Sequence, residues 1–175
     1  MTIYYMVNNY DSTMIMSIEE QQCIINWANK YYRYFKPNGT ARQYYIFDSS
    51  DKNYSKDIPS CIFLIKNRII KLENLNNCKQ EPKFKDFISY ITDQGQIHRH
   101  IDKNINNLIH TRFNVIVQLP LKGGLPIYND NIIQVNEREY IRCDSGLYNH
   151  YCEKVIGDKA RIIISYGFLV PMSPT

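Results

Sequence analysis

At 175 residues the chain is one domain's length, enough to bury close to ~70% of the surface its unfolded form exposes, so neither a disulfide nor a structural metal is required for folding. A formal charge of +4, with basic residues scattered, excludes the basic tract of a nucleic-acid or membrane surface, and seven glycines with seven prolines exclude a fibrous or disordered chain. Five cysteines, an odd number without a CxxC, exclude a thiolate zinc motif and point to free thiols in a reducing compartment. The N-terminus MTIYYMVNNYDS lacks the regions of a signal peptide and no apolar run approaches ~18 residues, so a cytoplasmic protein without membrane contact is expected.

Along the chain, Ser17 and Glu20 form a capping box, and Ile18, Cys23, Ile24, Trp27, Ala28 and Tyr31 recur at helical spacing behind it. The spacing predicts a helix over about 17–35, stopped by Pro37-Asn38-Gly39. Arg42 to Phe47 reads as a strand and Ser49 to Asp57 as a polar loop. Pro59 stands as a first-turn proline, and Ile62, Ile65, Ile69 and Leu72 predict a second helix, with Asn74 to Pro82 a loop after it.

From Phe84 onward short β-rich runs alternate with turn signals: Phe87–Thr92, Gln96–Asp102, Arg112–Leu119, Leu125–Tyr128, Ile132–Val135, Tyr140–Arg142, Leu147–His150 and Arg161–Val170. With neither repeat nor linker visible, a single domain over 1–175 is expected. Residues 1–83 would be its helical and loop region and 84–171 a β-barrel core, giving an α+β, mainly β architecture with two helices packed outside.

Within the β-rich half stand His100-Ile101-Asp102, then His150, then Arg161; the chain's four histidines (His98, His100, His110, His150) all fall in this stretch. Two imidazoles and one carboxylate are the donor set of a mononuclear non-haem Fe(II) site with open coordination positions. On a strand, His100 and Asp102 point the same way, and His150 must reach the ion from a facing strand. Arg161 opens an apolar run, where a cation is costly unless it meets an anion, and its planar fork suits a carboxylate. Triad and arginine together imply a dicarboxylate co-substrate, one end on the metal and the other on Arg161. Arg112 and Asn114 share a strand face and are candidates for a second clamp, and Ser165, four residues after Arg161, is a third polar candidate.

These residues resemble the Fe(II)- and 2-oxoglutarate-dependent oxygenases, whose double-stranded β-helix (a jelly-roll, cupin-like barrel) carries HxD, a distal histidine and a downstream arginine. The nearer resemblance is to the aspartyl/asparaginyl β-hydroxylases, carried by Arg112-Phe113-Asn114, Pro120, Gly123-Gly124, the acidic segment Cys143-Asp144-Ser145 before His150, and the block from Arg161 to Pro171. It covers roughly residues 96–171. The chain departs from that family in having Asp102 where glycine is frequent, Asn114 where a histidine stands, and longer spacings from His100 to Arg112 and from His150 to Arg161. A carboxylate at Asp102 also excludes a halogenase, which needs that coordination position for halide.

The resemblance implies Fe(II), O2 and 2-oxoglutarate, with ascorbate as a stimulant. In the implied reaction 2-oxoglutarate is decarboxylated to succinate and CO2 while a C–H bond of the substrate becomes C–OH. It favours a protein or peptide side chain as substrate, Asp or Asn. An AlkB-like nucleic-acid demethylase is the alternative, on Ile97-His98-Arg99-His100-Ile101-Asp102, although a second arginine at that group's spacing is missing. A non-catalytic β-barrel module is the remaining one.

Blander readings stand beside several of these residues. HxD alone is a short pattern that chance supplies. His98 is read either as facing the substrate or supporting the site, or as solvent-exposed; as a fourth ligand it would make a zinc or cupin-type site, for which the cupin glutamate is missing (Asn104 and Ile105 stand there). His110 reads as loop surface. Arg112 is either a co-substrate contact or half of an exterior ion pair. Tyr90 is a candidate for the pocket mouth, but is one of fifteen tyrosines.

Overall fold

The computed structural model describes residues 13–46 and 57–172. The predicted loop from Ser49 falls, up to residue 56, outside the described residues, as do Phe47 and residues 1–12. In chain order the elements are β1 (Thr13–Met14), α1 (Ile18–Tyr31), β2 (Lys36–Asn38), β3 (Ala41–Ile46), α2 (Cys61–Leu72), β4 (Lys79–Gln80), β5 (Asp86–Ile91), β6 (Leu108–Gln118), β7 (Pro126–Tyr128), β8 (Asn131–Ile132), β9 (Glu139–Cys143), β10 (His150–Cys152) and β11 (Arg161–Pro171). Eight strands form one antiparallel sheet in the order β1-β9-β6-β11-β5-β3-β2, with β4 also on β11; β10-β7-β8 form a smaller one.

Alternation along the two long central strands determines everything that follows. On β6, Phe113, Val115 and Val117 face α1 and α2; on β11, Ile162, Ile164, Tyr166 and Phe168 do the same. They bury Ile24, Trp27 and Ala28 of α1 and Ile62, Ile65 and Ile69 of α2, so the helices cover one face of the large sheet. The other face looks toward the small sheet. There Ile116, Ile141, Cys143 and Ile163 pack with Tyr128, Ile133 and Val135. With both faces covered, β11 reads in sequence as one apolar run, interrupted on its inner side by Arg161 and Ser165.

The helices form where the periodicity places them. Ser17 caps α1 in a full capping box: the Glu20 amide donates to the Ser17 hydroxyl (3.2 Å) and the Ser17 amide to the Glu20 carboxylate (2.9 Å). The α-helix ends at Tyr31, earlier than expected, because Tyr32–Tyr34 tighten into a 3-10 turn. Pro37-Asn38-Gly39 does more than stop a helix: it belongs to a β2–β3 hairpin turning at Gly39 and Thr40, with Asn38 opposite Ala41. Pro59 precedes α2 instead of opening it, since its carbonyl accepts from the Ile62 amide in the turn before the helix.

Gln96–Asp102 is not a regular strand. It meets β10 only at isolated points: the reciprocal amide–carbonyl bonds of His100 with His150, and the Cys152 amide on the Ile97 carbonyl. The N-terminal region also contributes more sheet than its sequence predicts, since β1, β2 and β4 are two- or three-residue strands too short to leave a periodic signal.

Candidate active site

His100 and His150 are brought face to face by their backbone bridge, which sets the two rings 4.1 Å apart between centroids. The Asp102 amide donates to the Ser145 carbonyl (2.8 Å), pinning the turn that follows His100 to the turn before β10. Asp102 Oδ1 then lies 3.9 Å from His100 Nε2, and Oδ2 lies 3.7 Å from His150 Nε2. One donor atom from each of the three lies within 4.8 Å of the others, a spread that one ion can gather.

Both rings are oriented for that task. His100 Nδ1 is 2.7 Å from the His98 carbonyl and His150 Nδ1 is 3.3 Å from the Tyr148 carbonyl. These acceptors hold the ring protons on Nδ1, so both Nε2 lone pairs turn toward Asp102. Burial, and after it the neighbouring His100, push the His150 imidazole down to about 4, so it is a neutral ligand at physiological pH. The donor set therefore fits a hard or borderline divalent ion with oxygen- and nitrogen-accepting positions left open.

A cavity of about 420 Å³ opens from these three residues between the two sheets. Its inner wall carries Arg161, Ile163 and Ser165 from β11, Arg112 and Asn114 from β6, and Phe87 and Ser89 from β5. Arg161 is 4% exposed and uses Nε to donate to the Gly124 carbonyl (2.6 Å). No carboxylate among the described residues pairs with it, so its two terminal nitrogens are left to the cavity. Gly124 has φ +73°, and a Cβ there would crowd Pro120 and approach the Arg161 side chain to 3.3 Å, so the turn that holds the arginine requires glycine. Ser165 lines the same cavity without a protein partner among the described residues, and the Asn114 amide donates to the Tyr128 hydroxyl (2.8 Å). Burial raises the Tyr128 phenol far above its ordinary range, keeping it neutral.

Arg112 also lines the cavity, but its guanidinium is taken. It donates to Glu81 (3.0 Å) and to the Lys85 carbonyl, and stacks over Phe87 at 5.1 Å. Glu81 accepts in addition from the amides of Lys83, Phe84 and Lys85, and Gly167 leaves the space that Arg112 fills. A second carboxylate clamp would have to compete with this buried pair. The partner is thus a buried acid, not the exterior one that the sequence suggested.

Two further expectations change, those for Tyr90 and His110. Tyr90 lies on the opposite face of β5 from Ser89: it packs on Tyr32 (4.7 Å) and its hydroxyl donates to Asn29, so it does not reach the pocket mouth. His110 is not on a loop surface; it is 3% exposed on β6, with Nδ1 3.7 Å from Asp102 Oδ2, and burial followed by Arg112 lowers its pKa. Its even spacing from Arg112 and Asn114 was the available signal. His98 is exposed and lines the cavity mouth, in contact with Gln96, outside the three-residue cluster. Glu81 and Gln43, the latter 6% exposed on β3 and also lining the cavity, had no sequence signal.

No protein-family model matches the chain, and a comparison with curated protein sequences finds no match. Similarity appears in the fold. The viral collagen prolyl hydroxylase of Paramecium bursaria Chlorella virus-1, in complex with 2OG, superposes with a TM-score of 0.62 at 12% identity, covering 95% of this chain and 98% of that one. A Trichoplax adhaerens prolyl hydroxylase bound to a hypoxia inducible factor degradation-domain peptide gives 0.62 at 13% identity, over 93% and 84%. HygX from Streptomyces hygroscopicus, with nickel and 2-oxoglutarate bound, gives 0.62 at 8% identity, over 90% and 80%. The chain has the double-stranded β-helix fold of these proteins. No helix among the described residues is long and apolar enough to cross a membrane.

Proposed function

We propose that the chain is an Fe(II)- and 2-oxoglutarate-dependent hydroxylase acting on an uncharged residue of a protein or peptide. One observation carries the reading: a buried arginine without an anion shares a cavity with a His-Asp-His cluster whose Nε2 atoms converge. An unpaired buried cation is costly, and a co-substrate carboxylate removes that cost when it binds. His100, Asp102 and His150 would hold the metal, which supplies O2 activation when bound. Arg161, assisted by Ser165, would bind and orient the distal carboxylate of 2-oxoglutarate, and the sheets exclude bulk water from the cavity's inner end. The balance is one substrate C–H, O2 and 2-oxoglutarate giving C–OH, succinate and CO2.

The substrate's charge follows from what is left. Three arginines line the cavity. Arg112 belongs to Glu81, Arg99 is paired with Asp130 at 2.8 Å, and Arg161 is reserved for the co-substrate. Among the described residues no further arginine or lysine lines the cavity to meet a substrate carboxylate. Within the Asp or Asn side chain expected from sequence, the neutral asparagine fits better, and so does a prolyl ring of the kind two structural relatives are named for. Phe84 and Phe87 offer apolar surface, and the Gln43 side-chain amide offers hydrogen bonds.

The test is mass spectrometry of candidate peptides, with oligonucleotides in parallel, after incubation with Fe(II), ascorbate and 2-oxoglutarate. One added oxygen on an uncharged residue is expected, abolished by His100→Ala. A lost methyl group on an oligonucleotide would replace the reading with the demethylase. Absence of an anaerobic Fe(II)–2-oxoglutarate charge-transfer band in the wild type would end both.

A further inference from the structure

Asp102 is the one carboxylate in the cluster, and its surroundings form a closed polar knot. Asn104, two residues on, accepts from the His110 amide with Oδ1 (2.9 Å) and donates to the Gly146 carbonyl with Nδ2 (3.0 Å). The His110 carbonyl accepts in turn from the Gly146 amide (2.8 Å) and the Ser145 hydroxyl (3.0 Å), while Ser145 receives the Asp102 amide. A Cβ on Gly146 would stand 1.7 Å from Asn104 Oδ1, so the knot closes only around glycine. These bonds fasten the start of β6, and with it the His110 ring, against the turn that carries Asp102.

The ring itself is unexplained by packing. His110 does not line the cavity and is 3% exposed, and Nε2 is buried without any hydrogen-bond partner. A histidine placed for structure alone would be expected to satisfy its ring nitrogens on backbone or side-chain groups. Here the polar group that faces Nδ1 is Asp102 Oδ2, at 3.7 Å, just beyond hydrogen-bond reach. A carboxylate that ligates a metal through one oxygen needs a donor on the other, and such outer partners fix the ligand's orientation.

We propose that His110 is the positioning residue for Asp102: its Nδ1–H donates to Oδ2 and presents Oδ1 to the metal. The inference rests on the reading of His100, Asp102 and His150 as a metal site. A small rotation of the Asp102 carboxylate would close the 3.7 Å separation from His110 and leave Oδ1 facing the two imidazoles.

The test is titration of the purified chain with Mn(II) alone, reading bound metal by electron paramagnetic resonance. His110→Phe removes the donor and is expected to weaken Mn(II) about 10–100-fold. His110→Asn places an amide N–H where Nδ1 stands and should bind within about 3-fold of wild type, whereas His110→Gln places it near Nε2 and should bind as weakly as His110→Phe. Equal affinity of the Asn and Gln variants, or wild-type affinity in His110→Phe, overturns the proposal. Should the variants not fold, 15N resonances of the wild-type imidazole decide: a proton on Nδ1 is expected, and a proton on Nε2 overturns it. A wild type that binds no Mn(II) instead removes the metal reading itself, a different result from a metal site indifferent to His110.

Discussion

Replacing Arg161 by Met should change two quantities in opposite directions. In the metal- and ligand-free chain the guanidinium makes one hydrogen bond, to the Gly124 carbonyl, and meets no acid among the described residues. Removing it relieves the desolvation of an unpaired buried cation, several kcal/mol in general, and forfeits that bond and some packing, about 1–2 kcal/mol. The net expectation is a gain of about 1 kcal/mol, or roughly 2–4 °C in melting temperature for a chain of this length. Binding of 2-oxoglutarate should move the other way. Nε is committed to Gly124, so the two terminal nitrogens make the carboxylate fork. Two charge-assisted bonds at about 1.5–3 kcal/mol each, discounted for non-additivity, give about 3–4 kcal/mol, a loss of roughly 100–1000-fold in affinity. Arg161→Lys keeps the charge and loses the fork, so about 10-fold is expected for it. Scanning fluorimetry of the metal-free protein and anaerobic Fe(II)–2-oxoglutarate titration measure the two quantities. A variant that melts several degrees lower while binding 2-oxoglutarate normally would make Arg161 a structural cation and refute the reasoning.

The buried Arg112–Glu81 pair predicts the contrary pattern: Glu81→Gln strands a cation that is 5% exposed and should cost about 3–5 kcal/mol in urea denaturation, far more than any surface charge change. Gly146→Ala drives a methyl into Asn104 and should both destabilise the chain and weaken Mn(II) binding, measurable by the same melting and resonance experiments. The metal-free chain should also lose stability on acidification through His150. Its folded pKa, about 4, lies below the ordinary 6.5, so the unfolded chain takes up the proton first, and stability present above pH ~6.5 falls as pH drops toward ~4, by up to about 3 kcal/mol. His150→Gln should flatten that part of a denaturation-versus-pH curve, and an unchanged slope would show that the imidazole is not held neutral.

How far the sequence reaches is a matter of which interactions are local. The capping box of α1 and the three- and four-residue steps of α2 are settled within a few residues, and both helices sit where those signals place them. The long strands β6 and β11 announce themselves by β-branched runs, and parity along them puts Arg112 and Asn114, then Arg161 and Ser165, on the inner face. What fails is short or non-local. A two-residue strand such as β4 exists because β11 offers it an edge, and the segment around His100 is not a strand because only scattered hydrogen bonds tie it to β10. Tyr90 went astray on parity: it stands one residue from Ser89, and a one-residue step on a strand exchanges the pocket for the helix-facing core.

Arg112 and Arg161 make the same point about function. Both are arginines on central strands, both are buried and both point to one cavity, and nothing in their own sequence neighbourhoods separates them. Glu81 separates them. It comes from the turn after β4, 31 residues before Arg112, and reaches it because its amide donates to the Gly167 carbonyl on β11 while its carboxylate gathers the amides of the following turn. A strand pattern can therefore nominate the charges on its own strand that face a site, but it cannot say which are already neutralised. That distinction needs the partner's position in space. Here it leaves Arg161 as the cation with its terminal nitrogens open to the cavity, and so as the one we propose for a co-substrate carboxylate, in place of a clamp shared between the two.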